Sequence, residues 1–69
     1  MEIKNITMYK GRYCAELTNG QYILSDGSMH LILAEKVQDG MKVLKNNIVG
    51  GIMMRNQKDF RWCVENLDI

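Results

Sequence analysis

Residues 8–24, MYKGRYCAELTNGQYIL, carry two turn signals separated by a stretch of strand-length apolar alternation. Asn19-Gly20 is the dipeptide favoured in two-residue hairpin turns, where both central positions need positive φ. A turn there pairs Leu17 with Tyr22 and Ala15 with Leu24, and sets Thr18 beside Gln21 and Glu16 beside Ile23. A second turn at Lys10-Gly11 pairs Met8 with Tyr13, Ile6 with Ala15 and Lys4 with Leu17. One face then carries Ile6, Met8, Tyr13, Ala15, Leu17, Tyr22 and Leu24, with Lys4 at its edge. The reverse face carries Asn5, Thr7, Arg12, Glu16, Thr18, Gln21 and Ser25, with Ile3, Tyr9, Cys14 and Ile23 among them. Two independent turns that agree on one apolar face specify a three-stranded antiparallel meander.

Outward from the meander, Asp26-Gly27-Ser28 is turn chemistry followed by a helix-like pattern. Met29, Ile32, Leu33 and Val37 recur at three- and four-residue spacing, Asp26 or Ser28 can cap the start, and Asp39-Gly40 supplies a stop. The spacing predicts a helix over about 27–38, lying across the apolar face. Met41 to Lys45 then reads as a strand, Asn46-Asn47 as a turn, and Ile48 to Arg55 as a second strand bent at Gly50-Gly51. The last stretch has two readings. As a strand, Phe60, Trp62 and Val64 alternate with Arg61, Cys63 and Glu65, and aromatic and β-branched content favours this reading. As a helix, Asn56 caps, Asp59 takes the capping-box position, and Phe60, Cys63, Val64 and Leu67 form one stripe. The expected fold is α+β: a three-stranded antiparallel meander, one helix, and a further β-hairpin forming a small, partly closed barrel. The alternative has a C-terminal helix in place of the last strand.

The 69 residues make one domain, 1–69, and their 46% apolar and 25% charged content is a globular balance, not a disordered one. A core of this size rarely supplies more than about 3–5 kcal/mol, which favours a homodimer. A net charge of +1 draws the whole molecule toward no polyanionic partner. The longest apolar run, Leu31 to Ala34, is too short to span a membrane. Cys14 and Cys63 form no Cys-x-x-Cys or Cys/His cluster, and no secretory leader precedes them, so reduced thiols and a cytoplasmic location are expected. The start at Met1 reads as that of a complete small open reading frame.

No nucleophile–base pair, carboxylate pair or ligand cluster stands out, so no catalytic, metal or cofactor site is expected and the chain reads as non-enzymatic. The single histidine, His30, has no second ligand near it in sequence. Gly50-Gly51 lacks the Gly-Lys-Ser/Thr continuation of a phosphate loop.

Two surfaces remain. One is apolar: consecutive strand residues point to opposite faces, and if Met53 lies opposite Trp62, Met54 faces out beside Ile52. Ile52, Met54 and Trp62 are the residues expected to meet a protein partner, since methionine and tryptophan suit adaptable contact surfaces. The other is basic: Lys42, Lys45, Arg55, Lys58 and Arg61 face one acid, Asp59, with Phe60 and Trp62 available to stack on a base. The first surface makes the chain a small regulatory or inhibitory module of phage or mobile-element type, acting by protein–protein interaction. The second makes it a small nucleic-acid-binding β-domain.

Overall fold

The computed structural model describes residues 1–68. Five strands, β1 (Ile3–Tyr9), β2 (Arg12–Leu17), β3 (Gln21–Asp26), β4 (His30–Val37) and β5 (Gly40–Val49), form one antiparallel sheet in chain order, followed by a helix, α1 (Gln57–Glu65). The α+β class stands and the chain opens with three antiparallel strands, but the meander differs in part from the expected one: its β2–β3 register is shifted, it runs on through five strands, and the sheet does not close into a barrel.

The two early turns differ in kind. Lys10 and Gly11 both have positive φ, 48° and 80°, and close a two-residue loop that pairs Tyr9 with Arg12, Met8 with Tyr13 and Ile6 with Ala15. At the second turn only Gly20 has positive φ, 89°; its N–H donates to Leu17 O at 3.1 Å, and Asn19 Oδ1 accepts from the Gln21 N–H at 2.9 Å. This is a three-residue loop, Thr18 to Gly20, of the turn-plus-bulge type. The extra residue moves the register one place from the expected one, so Ala15 pairs with Ile23 and Glu16 with Tyr22. A one-residue slip inverts a strand, so Ile23, not Leu24, joins Ala15 and Leu17. A bulge at Lys4 likewise leaves Ile3, in place of Lys4, opposite Leu17.

The helix expected over 27–38 is β4. Its alternate residues serve two faces: Leu31 and Leu33 join the core cluster that α1 completes, while Ile32 and Ala34 pack with Cys14 and Leu24. A strand covered on both faces reads as a continuous apolar run, which spacing does not separate from a buried helix. Asn46-Asn47 is not a turn either. Strand β5 continues through it, with Asn47 at φ 55° and register shifts opposite Leu31 to Ala34. The strand expected over 48–55 stops at Val49, and the strand reading of the last stretch gives way to α1.

Helix α1 begins where Asn56 Oδ1 accepts the Asp59 N–H at 2.9 Å. The Asp59 carboxylate in turn accepts from the Arg55 backbone N–H at 3.1 Å and from Arg55 Nε at 3.0 Å. Phe60, Cys63 and Val64 are buried against Ala15, Leu17, Ile23, Leu31, Ile48 and Met54, and Phe60 stacks on Tyr13 with ring centroids 5.4 Å apart. The loop sits tightly against the helix: a Cβ on Gly50 would lie 3.2 Å from Cys63 Sγ. The opposite face has no helix. There Cys14, Leu24 and Ala34 are buried beneath Tyr9, Tyr22, Ile32 and Met41. The sheet curls enough to bring the Tyr9 hydroxyl of β1 within 3.2 Å of where a Gly40 Cβ would stand on β5.

Candidate interaction surface

Apart from Met8, the exposed large apolar side chains all lie beyond Gly27, most of them on β5 and in the loop that follows it. The loop leaves the sheet at Gly50, whose N–H donates to Met29 O at 3.0 Å, and returns at Met54, whose N–H donates to Ser28 O at 2.7 Å. These two bonds tie residues 50–54 to the β3–β4 turn and determine which side chains turn inward. Met54 is only 6% exposed and belongs to the core, so it is not the outward residue expected. The outward one is Met53. The expectation rested on strand parity, and parity lapses once the strand ends at Val49.

Ile52 and Trp62 do face solvent and share a groove with Lys58, Asp59, Arg61 and Glu65. Trp62 is 46% exposed, beside Gly51 on the loop; a Cβ there would lie 3.6 Å from the indole. Of the three residues expected to meet a partner, two are therefore together at the surface and the third, Met54, supports them from below. Sequence reasoning missed Met53 and the helical grouping of Trp62 with Lys58, Arg61 and Glu65. Phe60, Cys63 and Val64 were the available signal, because an inward stripe of that spacing leaves those four outside.

The basic residues separate into two groups. Lys42 and Lys45 lie on β5, opposite Glu35 and Leu33. Arg55, Lys58 and Arg61 lie at α1, where Arg55 pairs with Asp59 at 3.0 Å and Arg61 with Glu65 at 3.9 Å. Phe60 is fully buried, which leaves Trp62 as the exposed aromatic of this segment. The hydrogen bonds from the Arg55 backbone and then its side chain hold the Asp59 carboxyl below its usual range.

Both thiols are buried and unpaired with each other. Burial pushes the Cys14 thiol up from its ordinary value, only partly offset by a hydrogen bond with Thr7, which disfavours the thiolate. Cys63 Sγ lies 3.8 Å from Ile52 O, bracing α1 against the loop. His30 is exposed on β4, opposite Val49. Among the described residues no three His, Cys, Asp or Glu side chains gather as a metal site, and no helix is long and apolar enough to cross a membrane. No family model, curated protein or solved structure matches the chain.

Proposed function

We propose that the protein is a small non-enzymatic regulatory or inhibitory module acting by protein–protein contact through Ile52, Met53 and Trp62. The observation that carries this reading is a half-exposed tryptophan set in a groove beside Ile52, with charged side chains at its margin. An aromatic anchor surrounded by polar groups is the usual anatomy of a contact hot spot. Met54 underpins the surface by filling the core beneath the loop, so the anchor is held before any partner arrives.

The nucleic-acid reading draws support from Lys58 and Arg61 lying beside the exposed ring of Trp62. Its charge is diminished by the Arg55–Asp59 and Arg61–Glu65 pairs. Binding measurements at increasing salt separate the two. Trp62→Ala should abolish a salt-tolerant protein contact at unchanged melting temperature. Binding to single-stranded RNA or DNA that collapses with salt and with Lys58→Glu would replace this reading with the other.

A further inference from the structure

The exposed face of α1 is self-complementary in charge. Lys58, Arg61, Trp62 and Glu65 line one groove, as their three-, four- and seven-residue spacings on a helix require. Lys58 and Glu65 stand near opposite ends of α1, about 10.5 Å apart along the axis, with Arg61 and Trp62 midway. A second α1 laid antiparallel across this face, about a twofold axis between Arg61 and Trp62, sets Lys58 opposite the partner's Glu65. The same operation sets Trp62 opposite the partner's Arg61, a cation over an indole, and brings the two indoles together at the axis.

The charges involved are available for this. Among the described residues Lys58 makes no ion pair, and the Arg61–Glu65 pair is exposed and long at 3.9 Å. With a net charge of +1 two copies meet no long-range repulsion, and a core this small gains from added buried surface. The free edge of β5 is a poor alternative for self-pairing, because it is bulged and carries Lys42 and Lys45 with no acid. We infer that the protein forms a twofold homodimer through the exposed face of α1, with Trp62 at the axis and reciprocal Lys58–Glu65 pairs across it. This rests on reading the Ile52–Trp62 surface as a protein-contact surface, and names its occupant as a second copy.

Sedimentation equilibrium of the full chain, with circular dichroism to show each variant folded, tests it. The wild type should associate reversibly with concentration. Lys58→Glu alone and Glu65→Lys alone each place like charges at both reciprocal positions, and should weaken association about tenfold or more. Both changes suit the helix dipole, an acid nearer the N-terminus and a base at the C-terminus, so helix melting is not the expected cause of any loss. An equimolar mixture of the two single variants should regain association, because in the mixed pair every like-charge contact becomes an opposite-charge one. A wild type that stays monomeric, or reversals without effect, or a mixture that fails to regain association overturns the homodimer. If the wild type is monomeric yet Trp62→Ala abolishes capture of a different protein, only the homodimer is lost. If Trp62→Ala alters no protein contact of any kind, the protein-contact reading is lost with it.

Discussion

One face of the sheet is buried by α1 and the other by its own side chains. On the helix side, Phe60, Cys63 and Val64 descend onto Ala15, Leu17, Ile23 and Leu31, and the aromatic pair Tyr13–Phe60 links helix to sheet. On the other side, Cys14, Leu24 and Ala34 are buried against the neighbouring, partly buried Tyr9, Tyr22, Ile32 and Met41. The first arrangement depends on one long-range docking event, and its side chains have few ways to settle after a deletion. The second is built from cross-strand neighbours, so curl can tighten or relax to accommodate a change. The proposed contact surface follows the same division: Trp62 lies on the back of the helix whose inner face is the core.

Phe60→Ala should have the largest effect, about 3–5 kcal/mol by the usual cost of emptying a core aromatic site. In a domain of this size that is most of the folding free energy, so urea denaturation should show a protein largely unfolded without denaturant. Leu24→Ala removes a side chain that is also buried, but on the self-covered face. It should cost about 2 kcal/mol, the low end for such a deletion, because Tyr9 and Ile32 can close over the gap. Thiol reagents should then reach Cys14 faster than in the wild type. A Leu24→Ala loss equal to that of Phe60→Ala would show that the uncovered face is no more adaptable than the covered one.

The smallest effect is electrostatic. Asp59 has a folded-state pKa below its unfolded one, held there chiefly by the Arg55 backbone N–H and then by the Arg55 side chain. Its contribution to stability is therefore present above the ordinary carboxylate pKa and lost as pH falls through the depressed one. Asp59→Asn should lower the melting temperature slightly at neutral pH and flatten the acid limb of the profile, so that variant and wild type converge in acid. An equally steep acid limb in the variant would place the acid-sensitive group elsewhere.

How much of this was legible in the residues depends on how local each determinant is. Lys10-Gly11 specified a two-residue turn, and the β1–β2 register followed from it as far as Asn5. Asn19-Gly20 marked a turn equally well, but the dipeptide serves both two- and three-residue loops, and the choice decides whether Ile23 or Leu24 faces α1. Asn56 and Asp59 encode the start of α1 in four residues, yet the β-forming character of Phe60, Trp62 and Val64 argued for a strand. The helix prevails because its one stripe meets the apolar face of the meander. Segment 31–34 is apolar throughout, which says that it is buried without saying as what; strand β4 exists because β3 and β5 lie on either side to take its hydrogen bonds.

The site divides in the same manner. That Ile52 and Trp62 are apolar residues without an obvious place in the core could be read from the chain. Which methionine of Met53-Met54 turns inward could not, since it depends on the Met54 N–H reaching Ser28 O, across 26 residues of chain. Turns and caps are settled by neighbours a few residues apart, whose geometry is written in their side chains and φ preferences. Facing, burial and the grouping of Trp62 with Lys58 and Glu65 are settled by contacts between distant segments, where many local readings compete and the best-buried combination prevails.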